Sequence, residues 1–235
     1  MNIIITGCSS GIGYQTVLAI ATMGSHHITA ISRNTLGLNQ LKQEFIALNS
    51  KSTIDIISFD LSMKNFDYLS SKLDFSTENP VDILINNAGY LVNKSFSELS
   101  NDDWYNTFNV NVFATVKLIN TLLPYFNTKS GSHIVNIGSM GGVQGSAKFA
   151  GLSAYSASKG AVNILTEALS VEFEQKGIRV NAINPGAVQT KMLEEAFPGY
   201  QTDISAQQMG RYIASFALNN KDVMNGRLIQ ASLKT

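Results

Sequence analysis

Short apolar, β-branched runs recur along the chain at 2–6, 27–32, 53–59, 81–86, 132–138, 178–184 and 227–231, and each reads as a strand. Longer segments between them repeat apolar residues at helical spacing, at 12–24, 35–49, 62–74, 101–126, 153–176 and 205–219. The run Val81, Ile83, Leu84, Ile85 is apolar on both faces, as a strand covered by helices on each side must be. Strict alternation of strand and helix predicts parallel pairing through right-handed crossovers, hence a doubly wound α/β sheet of seven strands with helices on both faces. Ligands of such sheets lie outside the carboxyl ends of the strands, near the point where strand order reverses. The loops that follow strands are therefore where chemistry is to be sought.

The first of these loops is Thr6-Gly7-Cys8-Ser9-Ser10-Gly11-Ile12-Gly13, with a helix directly behind it. Glycines 7, 11 and 13 permit a tight turn, a close approach of backbone to a pyrophosphate, and close helix–strand packing. The amides of Ser9, Ser10, Gly11, Ile12 and Gly13 would meet phosphate at the positive end of the helix dipole. The spacing is G-x-x-x-G-x-G, and a plain strand-to-helix turn would also use such glycines. Cys8 reads as a small filler, since no base lies near it in sequence. The second strand ends in Ser32-Arg33 and not in an acid. That suits the 2′-phosphate of NADP(H) better than the free ribose of NAD(H), although NAD(H) also remains open.

The candidate for proton transfer is Tyr155-Ser156-Ala157-Ser158-Lys159. Tyr-x-x-x-Lys occurs four times, as Tyr68/Lys72, Tyr90/Lys94, Tyr125/Lys129 and Tyr155/Lys159, so spacing alone cannot choose among them. Location can. Tyr155 opens a helix that follows the fifth strand, and that strand runs out at Ile137-Gly138-Ser139. Residues four apart share a helix face, which brings the Lys159 ammonium to the phenol. A free phenol ionises near pH 10, at about its reference value. An adjacent ammonium and an oxidised nicotinamide would both pull it down. Ser139 offers a neutral hydroxyl to the substrate oxygen, and Asn111 is placed to hold a water on a proton path from Lys159.

Taken together, these segments resemble the short-chain dehydrogenase/reductase family from Ile3 to about Thr190, with a likeness to its 3-oxoacyl reductases. The resemblance implies a Rossmann-type fold with Gly7, Ser9, Ser10, Gly11, Ile12 and Gly13 as the cofactor loop, and Ser32 and Arg33 at the ribose. It places Asp60 and Leu61 at the adenine and Asn87, Ala88 and Gly89 along the adenosine ribose, with Asn86 stabilising the sheet. Asn111, Ser139, Tyr155 and Lys159 resemble the catalytic four, Ser139 and Tyr155 also binding substrate. Pro185, Gly186, Val188 and Thr190 resemble the nicotinamide-binding segment. Two departures stand out. Ser139 and Tyr155 are 16 positions apart, a few more than usual, which predicts a loop at 145–151 over the pocket and puts the place of Ser139 in question. The segment after Thr190 is short, giving a small lid at 191–205 whose Met192, Leu193, Phe197 and Tyr200 are either pocket residues or the apolar face of a short helix.

Composition narrows the setting. The 235 residues show no linker, repeat or low-complexity run, so 1–235 reads as one domain. Hydrophobic residues make up 44% and charged residues 14%, enough for a large core. Seventeen basic residues balance seventeen acidic ones, which gives no electrostatic reason to expect nucleic acid or an anionic membrane as partner. One cysteine allows no internal disulfide, and neither a signal peptide nor an apolar run of transmembrane length is evident, so a cytoplasmic setting is expected. Apolar residues in excess of one stripe on helices 101–126 and 153–176 (Phe108, Phe113, Val162, Leu165, Leu169, Phe173) match the family's helical interface and imply a homodimer or homotetramer. The expected activity is NADPH-dependent carbonyl reduction, or the reverse alcohol oxidation, on a small molecule, with no metal. The alternatives are a 3-oxoacyl-thioester reductase, a non-catalytic NADP-binding regulator, or a methyltransferase on a similar sheet; the last would more naturally carry an acid where Ser32 and Arg33 stand.

Overall fold

In the computed structural model, which describes residues 1–63 and 65–233, seven strands form one parallel sheet in the order β3-β2-β1-β4-β5-β6-β7. The strands are β1 (Asn2–Thr6), β2 (His27–Ser32), β3 (Thr53–Ser58), β4 (Ile83–Asn86), β5 (Ser132–Ile137), β6 (Ile178–Pro185) and β7 (Leu228–Ala231). The order reverses between β1 and β4, as the doubly wound expectation requires. Neighbouring side chains on each strand point to opposite faces, and the sequence uses both. Ile3 and Ile5 of β1 and Ile83 and Ile85 of β4 enter one core; Ile4 and Leu84 enter the other. Helices α1 (Gly11–Ala21), α2 (Thr35–Ala47) and α8 (Ala206–Asn219) cover the first face. Helices α3 (Phe66–Ser70), α5 (Ala114–Leu122) and α6 (Ser153–Glu172) cover the second, through residues such as Leu69, Leu118 and Leu122 and through Phe173 just beyond α6.

Several boundaries differ from the sequence expectation, each for a physical reason. The helix expected over 62–74 contracts to α3, capped by Asn65, which accepts from Tyr68 N at 3.4 Å; Lys64 lies outside the described residues. The strand expected over 81–86 begins at Ile83, because Val81 pairs with Phe126 in an isolated bridge. The helix expected over 101–126 is broken into α4 (Asn101–Phe108), a π-turn at Asn109–Phe113, α5, and a 3₁₀ turn at Leu123–Tyr125 that begins one residue before Pro124. Helix 153–176 ends at Glu172, followed by a 3₁₀ turn at Glu174–Lys176 and the left-handed Gly177. A short helix, α7 (Lys191–Ala196), sits in the expected lid. No helix among the described residues is long and apolar enough to cross a membrane.

One buried residue drew no notice in the sequence. His133 of β5 is fully enclosed, with Nδ1 3.0 Å from Ala217 O and Nε2 3.0 Å from Asn181 Nδ2. Nδ1 must therefore donate and Nε2 accept, which fixes the neutral tautomer. Burial pushes its pKa down to about 4 from 6.5. A base depressed in the folded state binds its proton more readily when unfolded, so its effect on stability is a loss as pH falls from 6.5 through 4. The shift corresponds to about 3 kcal/mol at full protonation. Chemical denaturation between pH 7 and pH 4 should show wild type losing that much more stability than a His133→Asn variant; equal acid sensitivity of the two would contradict the assignment.

Candidate functional site

The sheet splits at its switch point, and one lash ties the two strand ends together there. Thr6 Oγ1, at the end of β1, accepts from the backbone N–H of both Asn87 and Ala88, each at 3.0 Å. Asn87 Nδ2 in turn donates to Thr6 O at 2.9 Å and Gly7 O at 3.2 Å. Gly7 takes a left-handed φ of +71°, and a Cβ there would sit 2.8 Å from the Ala88 Cα. A Cβ on Gly13 would collide with Asn87 Nδ2 and Gly7 O. These glycines are required by the close meeting of the β1 loop and the β4 end.

Beyond the lash, α1 begins at Gly11. Its N-cap residue Ser10 makes no side-chain capping bond, and no side chain among the described residues caps the first turn. That arrangement fits a phosphate group. Gly11, also left-handed at +62°, faces Thr190 Cγ2, which would lie 3.5 Å from a Cβ at that glycine. Ser9 Oγ accepts from Ser32 Oγ at 2.9 Å, tying the loop to the end of β2. Arg33 is exposed beside it, and its guanidinium has no partner among the described residues. Asp60 follows β3 with Oδ1 accepting from Ser62 N at 2.9 Å, and Leu61 is buried next to it. Cys8 is fully buried, and burial pushes its thiol far above its ordinary range, which fits a filler and not a nucleophile.

Across the crevice, Ser139, Tyr155 and Lys159 come together. Burial pushes the Tyr155 phenol above its ordinary value, and the Ser139 hydroxyl facing it works in the opposite direction. The expected depression of the phenol is thus reversed in the protein alone: desolvation outweighs its neighbours. Lys159 Nζ lies 5.8 Å from the centre of the Tyr155 ring, donates to Ile137 O at 2.7 Å, and is lowered by burial to about 8. The rival pair Tyr68/Lys72 has nearly the same ring distance, 5.5 Å, but Tyr68 is 51% exposed at the far edge of the sheet. Burial and position, not spacing, distinguish the two. Lys94 turns away from Tyr90 to pair with Asp103 at 2.7 Å, and Tyr125 falls in the 3₁₀ turn.

Asn111 is buried inside the π-turn, a distortion that recurs at functional sites. Its Oδ1 accepts from Tyr90 N at 2.7 Å, and its Nδ2 donates to Tyr90 O and Ser158 Oγ, both at 2.9 Å. Both amide hydrogens are committed, leaving the oxygen's second lone pair for any further partner. Gly89 fronts a gap here: a Cβ on it would lie 3.6 Å from both Asn111 Oδ1 and Lys159 Nζ.

On the nicotinamide side of the expected site, Gly186 N donates to Ala231 O at 3.0 Å, and Val188 is buried after Pro185 ends β6. Thr190 caps α7 by accepting from Leu193 N at 3.3 Å. The base of the expected lid is pinned where Gln189 N meets Ile204 O at 2.8 Å. The extra residues before Tyr155 form a closed loop, with Lys148 Nζ donating to Val143 O at 2.6 Å and Ser146 O at 3.0 Å. With this loop in place, the Ser139 hydroxyl still faces the Tyr155 phenol. Phe149 of this loop meets Phe197 and Tyr200 of the lid, with centroids 5.7 and 6.4 Å apart.

The sequence reading missed three polar residues that shape the site, Ser158, Asn163 and Asn184. Asn163 carried one signal, its place one helical turn past Lys159 on the same face. Of the residues expected at an interface, Val162 and Phe173 are buried in the chain's own core. The exposed apolar side chains on these helices are Tyr105, Phe113, Ile164 and Val171.

Thr6→Val keeps shape but removes both acceptor bonds of the lash. We expect a loss of about 1–3 kcal/mol in chemical denaturation, together with weakened dinucleotide binding by fluorescence titration. Unchanged values in both would show that the lash does not order the loop.

A family model described as short chain dehydrogenase matches residues 1–201. An uncharacterized oxidoreductase of Staphylococcus epidermidis is 28% identical over 224 residues, spanning 94% of this chain and 92% of that protein. L-xylulose reductase of Mesocricetus auratus is 30% identical over 190 residues, 80% of this chain and 72% of its own length. Among solved structures, L-sorbose reductase from Gluconobacter frateurii, complexed with NADPH and L-sorbose, aligns with a TM-score of 0.85 over 100% of this chain and 97% of its own, at 23% identity.

Proposed function

The chain belongs to the short-chain dehydrogenase family, and we propose that it reduces a small carbonyl with NADPH, Tyr155 supplying the proton. The observation that carries this reading is the convergence of Ser139, Tyr155 and Lys159 on one side of a crevice whose other side is an uncapped glycine loop.

The residues present fit a dinucleotide. Gly7, Ser9, Ser10, Gly11, Ile12 and Gly13 would hold the pyrophosphate at the start of α1, and Ser32 and Arg33 the 2′-phosphate, with NAD(H) a weaker ligand. Asp60 and Leu61 would contact the adenine. Asn87, Ala88 and Gly89 would line the ribose, and Pro185, Gly186, Val188 and Thr190 the nicotinamide. When bound, the nicotinamide supplies hydride to the carbonyl carbon.

The chain's own part is the proton and the oxygen. Ser139 Oγ donates to the substrate oxygen and holds it before Tyr155. The phenol gives its proton to that oxygen as negative charge develops there. A phenol raised by burial is protonated at neutral pH, the form that the reductive step requires. Lys159, an ammonium below about pH 8, stabilises the phenolate that results. Lys159 and Asn111, facing one gap at Gly89, mark the route by which the proton is replaced from solvent.

A matrix of NADPH and NADH against ketones, aldehydes, quinones and an acetoacetyl thioester tests the reading. NADPH should be preferred, the preference should shrink in Arg33→Ala, and Tyr155→Phe should lower kcat by at least about 10²-fold with NADPH binding intact. Wild-type turnover in Tyr155→Phe would sink the mechanism.

The assembly is proposed to be a homodimer or homotetramer closed by the segment from α4 to α5 and by α6, because Phe113 of the π-turn and Ile164 and Val171 of α6 are left 50%, 66% and 75% exposed. Sedimentation should give a mass of at least two chains, and Ile164→Asp with Val171→Asp should reduce it to one. A monomeric wild type would refute the interface.

A further inference from the structure

The stretch that bears Ser139 leaves β5 at Ile137 and doubles back through a single turn at Met140–Gly142. Ser146 Oγ donates to Met140 O from the loop beyond, and three side chains of α6 and β6 grip the stretch as well. Lys159 Nζ donates to Ile137 O at 2.7 Å, Asn184 Oδ1 accepts from Ser139 N at 3.0 Å, and Asn163 Nδ2 donates to Gly142 O at 3.2 Å. Lys159 already belongs to the site. The two asparagines have no role in the proton path, yet they are 0% and 3% exposed, Asn184 on β6 and Asn163 on α6. Positions 155, 159 and 163 follow one another at i, i+4 and i+8, so one face of α6 carries the phenol, the ammonium and this amide.

The contact is close by construction. A Cβ on Gly138 would collide with Asn184 Oδ1 and would lie 3.1 Å from Asn163 Oδ1, so the bare backbone at 138 is what lets the Asn184 amide reach the next N–H. Each asparagine also keeps one buried polar atom without a hydrogen-bond partner among the described residues: Asn184 Nδ2 and Asn163 Oδ1. Packing alone gives no reason for that. An apolar side chain would fill the place without an orphaned atom, but would leave the Ser139 amide without its acceptor.

Ser139 O accepts from Gly142 N at 2.9 Å within the turn, and two further bonds orient the residue. Its backbone is extended, with N–H on Asn184, and its Oγ accepts from Gly141 N at 3.1 Å. We propose that Asn184, assisted by Asn163, is a positioning residue that aims the Ser139 hydroxyl at the substrate oxygen; this rests on the role given to Ser139 above. Release of the Ser139 amide lets the residue turn about its backbone, and a displacement of about 1 Å at a reacting group costs roughly 10²-fold in rate.

The test is a mutant cycle of wild type, Ser139→Ala, Asn184→Ala and the double variant, assayed with NADPH and 2,3-butanedione, with melting temperature and NADPH binding measured on each. Asn184→Ala should lower kcat roughly 10²-fold and leave the KM for NADPH within about twofold. The double variant should be no slower than Ser139→Ala, because Asn184 acts only through that hydroxyl. Asn184→Asp, which keeps an acceptor oxygen in place, should recover most of the loss. Losses that multiply in the double variant, or a wild-type kcat in Asn184→Ala, would overturn the inference while leaving the role of Ser139 standing. Should Asn184→Ala fail to fold, Asn163→Ala takes its place in the same cycle, with a smaller loss that Ser139→Ala must also absorb. Full activity of Ser139→Ala, or no turnover by wild type with 2,3-butanedione and with every carbonyl of the panel above, would remove the proposed function itself and the inference with it.

Discussion

The hydroxyl of Thr6 and the amide of Asn87 join two strand ends that the topology drives apart. At a switch point the chain leaves β1 on one side and β4 on the other, and nothing in the backbone ladder beyond Ile5↔Ile85 connects them. Four hydrogen bonds between Thr6, Gly7, Asn87 and Ala88 close that gap. Because the bonds are side chain to backbone, they fix a distance, and the glycines at 7 and 13 follow from that distance. The amides of the first α1 turn and the β4 loop leading to Tyr90 and Asn111 inherit their places from it.

The second half of the crevice is built differently. Where the proposed cofactor side uses backbone amides and missing side chains, the proposed proton-transfer side uses buried polar side chains in an apolar shell. Asn86 donates to Asn136 at 2.9 Å, Asn136 donates to Thr166 at 2.9 Å, and Asn111 meets Ser158. Each of these groups is desolvated, so pairing within the protein decides its geometry. The same desolvation acts in opposite senses on the two titrating groups, raising the phenol and lowering the ammonium. Both shifts reduce charge in the crevice of the protein alone.

Much of this was legible in the residues. Seven apolar runs sufficed for seven parallel strands, though not for their order, because parallel sheets buried on both faces require such runs, and the loops after β1, β4, β5 and β6 carried the candidate residues in plain view. Two things were not legible. One was the burial that sets the chosen Tyr-x-x-x-Lys pair apart: position along the chain singled out Tyr155, but the ammonium of Lys72 reaches its ring as closely as that of Lys159, and Tyr68 is 51% exposed. The other was the supporting shell, since Asn163, Asn184 and His133 are polar residues in apolar surroundings, and periodicity reads them as breaks in a pattern. Their roles follow from partners 45 to 84 positions away, or, for Asn163, from a loop 21 positions before it.

The π-turn at Asn109–Phe113 has an effect beyond Asn111. A regular α-helix advances about 100° per residue, and a π-turn accommodates one residue more than the α-helical ladder would. The inserted residue therefore rotates everything after it by roughly a quarter of a circle relative to α4. Shortening the chain by one residue between Asn109 and Phe113 would leave a longer, straighter helix and turn Leu118 and Leu122 away from the sheet. The irregular turn is what allows one segment to bury its latter half against the strands while its middle faces Tyr90.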